Sequence, residues 1–100
     1  LSITEIIKSL QKEIGQQRQQ EREILGEIAA VETMEFAERA AKELDPTTHA
    51  YSFEAYLTLL ENLRVLLSAG MPPDLALDSV QAGWDIDKLL YFWRKADERL

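Results

Sequence analysis

The sequence predicts an all-α fold: a long N-terminal helix, read as a coiled coil or helical hairpin, followed by a compact three-helix domain. Three observations carry this. Residues 2–44 contain no proline and space their apolar residues at three and four. Residues 53–68 hold the most apolar helical pattern in the chain, closed by Gly70. Pro73 and Asp85 each open a further short helical pattern. The expected division is a long helix over 1–45, a linker over 46–52 and a three-helix domain over 53–100.

Ser2 suits the first N-cap, and Glu5 stands at the capping-box spacing from it. Ile3, Ile7, Leu10, Ile14, Ile24, Ile28 and Val31 then fall on one heptad series, with Gln17 and Glu21 as its polar interruptions. Beyond Val31 the spacing tightens to Met34, Ala37, Ala41 and Leu44, a shift in phase. A continuous helix over residues 2–44 would be about 65 Å long at ~1.5 Å per residue. That exceeds a globular domain of this size, so part of it must pack on another chain or bend back.

The run Gly15 to Glu23 has no apolar residue. Glutamine, arginine and glutamate are good helix formers, so the favoured reading carries the helix through. The alternative turns at Gly15 and pairs Ile3–Ile14 against Ile24–Leu44. Farther on, Glu35 and Arg39 stand at the favourable i, i+4 spacing.

Asp45 and Pro46 end this segment, since proline disfavours helical geometry in the residue before it. Ser52 caps the central helix, and Glu54 lies in its first turn. Its apolar residues cover more than half the circumference, which predicts neighbours on several sides. Gly70 suits a left-handed position past its end, and Pro73 the first position of the next helix. That short helix runs to Ala82 and ends at Gly83. Asp85 caps the last, Ile86–Arg99, with Ile86, Leu89, Leu90, Trp93 and Ala96 inward and Tyr91 and Phe92 to the sides. Trp84 and Trp93 are both expected to pack the core.

Composition removes several functions. The net charge is −7, with six basic and ten acidic residues in 1–50 and five and eight in 51–100. Neither half is a basic arm, which counts against nucleic acid, whose affinity comes largely from cations at phosphates. There is no cysteine and one histidine, His49, in a predicted loop. A hydrolytic triad could use only His49 with Ser52, Ser68 or Ser79, without a supporting nucleophile motif. Glu32, Glu35 and Glu38 lack the Glu-x-x-His pairs of a helical di-iron site. No enzyme activity, metal or cofactor is expected. Charges interrupt the apolar stretches well short of the ~20 residues of a membrane span, and no secretory signal pattern is present. The absence of cysteine fits the cytoplasm. The chain opens at Leu1 rather than Met, which reads as a fragment or trimmed form of a longer chain.

Two resemblances remain. Ser79, Ala82, Gly83, Leu89 and Phe92 resemble the small, small, glycine, apolar and apolar positions of a helix-turn-helix. The recognition helix so implied would open on Asp85 and Asp87, which is poor chemistry beside phosphates. The second pattern is Leu63-x-x-Leu66-Leu67-x-Ala69-Gly70-x-Pro72-x-x-x-Ala76-Leu77-x-x-Val80. It resembles the cytoplasmic helical domain of the F-type inner-membrane platform proteins of type II secretion and type IV pili. The resemblance covers about a fifth of the chain. It implies an assembly platform that binds a secretion ATPase and neighbouring components. Glycine and proline also have local reasons to stand in any tight helical hairpin.

The expected function is a non-catalytic protein–protein interaction or assembly module, the expected partner being a second copy or a larger complex. The expected contact residues are Ile3, Ile7, Leu10, Ile14, Ile24, Ile28 and Val31. Their alternative use is a hairpin within one chain.

Overall fold

The computed structural model describes residues 2–45 and 51–98, so Pro46, His49 and Arg99 lie outside the described residues. The described residues are all-α: α1 (Ile3–Val31), α2 (Met34–Glu43), α3 (Phe53–Ser68), α4 (Pro73–Gln81) and α5 (Ile86–Glu98).

Ser2 opens α1, its Oγ accepting the Glu5 N–H at 3.2 Å. The helix passes unbroken through Gly15 and the glutamine run, as their propensities predict. The hairpin turning at Gly15 does not form. Nor does the helix reach Leu44. It ends at Val31, and Thr33, in extended geometry, caps α2 by accepting the Phe36 N–H at 3.0 Å. The phase shift beyond Val31 marks this break. Ala37, Ala40 and Leu44 then face the core, and Met34 is exposed.

Directions follow from side-chain pairs. Arg18 lies over Phe53, and Arg64 binds Glu27 at 3.1 Å, so α1 and α3 run side by side in the same sense. Arg39 binds Asp74, and Gln81 donates to Glu43 at 3.2 Å, so α2 and α4 also run in the same sense, linked through these long side chains. Arg39 therefore does not take Glu35. It reaches forward to Glu43 at 3.7 Å and across to Asp74.

Leu60, Leu63 and Leu66 of α3 are fully buried, at the centre of a core that also takes Ile24, Ile28, Ala37, Leu44 and Leu77. This core crosses the 46–52 segment. The second half of α1 and all of α2 thus pack on the same core as residues 53–98. The reason is the width of the apolar face of α3, which neighbours on one side alone could not cover.

Two glycines close helices in the same way. After α3, the N–H groups of Gly70 and Met71 donate to the carbonyls of Leu67 and Leu66, and after α4 those of Gly83 and Trp84 donate to Val80 and Ser79. Both are Schellman motifs, with Gly70 at φ 88° and Gly83 at φ 75°. Pro73 takes the first position of α4. Asp85 caps α5, its carboxylate accepting the Lys88 N–H at 3.1 Å. α5 is held to the end of α3 by buried Leu90 and by Trp93, whose Nε1 donates to the Ala69 carbonyl at 3.0 Å. That carbonyl belongs to the end of α3, where intrahelical donors run out.

Candidate interaction surface

The alignment of α1 with α3 leaves the start of α1 without neighbours among the described residues. Arg18 stands level with Phe53, the first residue of α3, and Glu21 level with Tyr56. The stretch of α1 before Gln17 therefore extends past the start of α3, and every residue from 3 to 16 is exposed. At ~1.5 Å per residue this stub is about 21 Å long. It stretches the molecule to 61 × 25 × 22 Å, with a radius of gyration of 16.0 Å. A compact chain of this length would have about 13 Å.

The seven expected contact residues divide at this point. Ile24 and Ile28, at 4% and 0% exposure, are buried in the chain's own core. They are not free for a partner, because α2 and α3 already cover that part of the seam. Ile3, Ile7, Leu10 and Ile14 are exposed on the stub, between 48% and 77%. Val31 is exposed at the far end, beside the break before α2. The heptad reading omits Ile6, which is 45% exposed and widens the stub's apolar face. Its place next to Ile7, one turn from Ile3 and Leu10, is the available signal.

The polar interruptions of the seam mark the border between the two parts. Glu21 is half-buried and accepts from Arg18 Nη1 at 3.1 Å. The Tyr56 phenol is held well above its usual range, first by burial and then by the neighbouring Glu21 carboxylate. Gln17, the other interruption, is half-buried just before this cluster.

A second exposed apolar group lies near the other end of the chain, around α5. Trp84, Tyr91 and Phe92 are 57–65% exposed. The sequence reading places Trp84 in the core, and the structure does not. Trp84 occupies the Schellman position that normally packs on the preceding helix, but the residue it would meet there is Ser79, whose hydroxyl donates to the Leu75 carbonyl. After α3 the same position is Met71, which is buried with Leu66. Tyr91 and Phe92 meet edge to face at 5.5 Å, and Lys95 Nζ lies 5.6 Å from the Tyr91 ring centre.

A groove of about 370 Å³ between α1, α2 and α3 is lined by the apolar Leu25, Met34, Ala37 and Ala41, by Tyr56, and by charges of both signs that include Glu21, Glu38 and Lys42. Among the described residues, no three His, Cys, Asp or Glu side chains gather as metal ligands, and no helix is long and apolar enough to cross a membrane. Compared with family models, curated proteins and solved structures, the chain matches none.

Proposed function

We propose that this chain is a non-catalytic helical interaction module that self-associates through the projecting half of α1. One observation carries the reading: Ile3, Ile6, Ile7, Leu10 and Ile14 form an apolar face that none of the described residues covers. Fully burying such a side chain is worth ~1.5–3 kcal/mol. These side chains are about half exposed on the helix, so five of them from each of two copies supply on the order of 10 kcal/mol before costs. Lost translational and rotational freedom costs roughly 4–15 kcal/mol, a range that brackets this gain, so the pairing proposed here is a weak, concentration-dependent one.

The stub also carries the charge balance that association needs. Residues 2–17 hold Glu5, Glu13, Lys8 and Lys12, which sum to zero, so the whole net charge of −7 resides in the rest of the chain. Two copies can meet at neutral surfaces. The test is light scattering on Ile7→Asp with Leu10→Asp. These exposed positions leave the core untouched, so the variant should be a monomer that still unfolds cooperatively, with a thermal midpoint that no longer depends on concentration. A variant that associates like the parent would refute the reading.

A second reading, the cytoplasmic domain of a secretion or pilus platform protein, is supported by the α3–α4 hairpin. The leucines, Ala76 and Val80 of that pattern are buried, and Gly70 takes the left-handed turn between the helices. Binding of the chain to the purified secretion ATPase of such an assembly tests it. Absence of binding would count against it.

A further inference from the structure

We infer that two copies pair their stubs antiparallel, with Ile3 of one chain against Ile14 of the other and Ile7 against Leu10. The inference rests on the proposed self-association and gives it an orientation and a register.

The orientation follows from what already occupies the seam. Ile3, Ile7, Leu10, Ile14, Ile24 and Ile28 belong to one face of α1, and from Ile24 onward that face is filled by the chain's own core. A parallel partner helix lying on Ile3–Ile14 would continue along the same face. Within one or two turns it would meet α3, which begins level with Arg18. Two parallel copies would bring both bodies to the same end of the pair, each in the space of the other. An antiparallel partner ends where the body begins. Its own body then lies beyond the free end of the first stub, so the two bodies bracket the paired helices.

The charges favour the same arrangement. Each body carries −7 and each stub carries none. Antiparallel pairing sets the bodies at opposite ends, separated by a stub of about 21 Å. Screening at physiological salt acts over ~8 Å, so their repulsion is largely removed. Parallel pairing would hold the two bodies side by side.

The register follows from the spacing. In heptad terms Ile7 and Ile14 are a positions, and Ile3 and Leu10 are d positions. Antiparallel helices pack a against d of the partner. Matching Ile3 to Ile14 and Ile7 to Leu10 makes four such layers by two-fold symmetry and leaves no apolar seam residue of the stub without an opposite. The flanking residues then meet as Ile6 with Glu13 and Thr4 with Gln11, so no like charges are opposed. The contact is isologous and closed, which limits it to a dimer.

The chain has no cysteine, so introduced thiols report positions cleanly. Ile3→Cys and Ile14→Cys are prepared as separate variants of the whole chain, one of them isotope-labelled so that their masses differ, and oxidised alone and as an equimolar mixture. Antiparallel pairing predicts that the mixed disulfide dominates the cross-linked product of the mixture. Each variant alone should cross-link several-fold less, since like positions lie about 16 Å apart along the axis. Dominant like-with-like disulfides would overturn the antiparallel register while leaving self-association standing. No cross-link, beside a dimeric parent chain in sedimentation, would also overturn the register. No cross-link beside a monomeric parent would overturn self-association and register together.

Discussion

The Arg18 guanidinium lies 4.7 Å from the centre of the Phe53 ring, and the same side chain gives a hydrogen bond to Glu21 at 3.1 Å. This contact marks where α1 leaves the body. On its C-terminal side the helix has neighbours, and on its N-terminal side it has none among the described residues. An exposed cation–π contact is worth about 0.5–1 kcal/mol. The Arg18 side chain is 58% exposed, so its ion pair with Glu21 adds little. Arg18→Ala should lower the stability of the body by about 0.5–1 kcal/mol, read from the urea midpoint at constant slope.

Ile28 is fully buried between helices on both sides of the 46–52 segment. Ile28→Ala should cost about 2–5 kcal/mol. Ile24→Asp with Ile28→Asp should unfold α2 and α3 along with α1, seen as loss of the whole cooperative transition. Retention of a folded 53–98 unit in that variant would show that the core is divided.

Gly70 and Gly15 test conformation apart from packing. A Cβ at either meets nothing within 4 Å, but Gly70 has φ +88° and Gly15 lies inside a regular helix. Gly70→Val should destabilise by about 1–3 kcal/mol through backbone strain alone. Gly15→Ala should stabilise the stub by roughly 0.5–1 kcal/mol, because alanine gives up less freedom in a helix. Circular dichroism at about 222 nm should show the gain in helix, and denaturant titration the loss at Gly70.

Tyr56 couples the fold to alkaline pH. Its folded pKa is raised, by burial first and by Glu21 second, above the usual value of 10.0. A raised folded pKa means that this contribution to stability is fully present below about pH 10 and is lost as pH climbs through the higher folded value. The chain should therefore weaken steadily above about pH 10. In a phenolate absorbance titration, Tyr56→Phe should remove a late-titrating component. An unchanged curve would contradict the burial of that hydroxyl.

These helices differ in how openly the sequence declares them. Ser52, Gly70, Pro73, Gly83 and Asp85 act through local stereochemistry, and each takes the role its residue type predicts. The break at Thr33 is less legible, because neither glycine nor proline marks it. Only the capping threonine and the shift in apolar phase do. The seam from Ile3 to Val31 shows the deeper limit. Periodicity states that a face must be covered, but the covering group is a tertiary fact. Leu10 and Ile24 hold equivalent d positions of the heptad, yet Ile24 is covered by the chain and Leu10 is not. Trp84 is misread for a related reason: its burial depends on what stands at Ser79.

The most direct test of the central claim is sedimentation equilibrium of the unmodified chain across micromolar concentrations. The chain mass is 11.5 kDa. Self-association through the stub predicts a weight-average mass that rises with concentration toward twice that value and no further. A mass of 11.5 kDa at every concentration would contradict it.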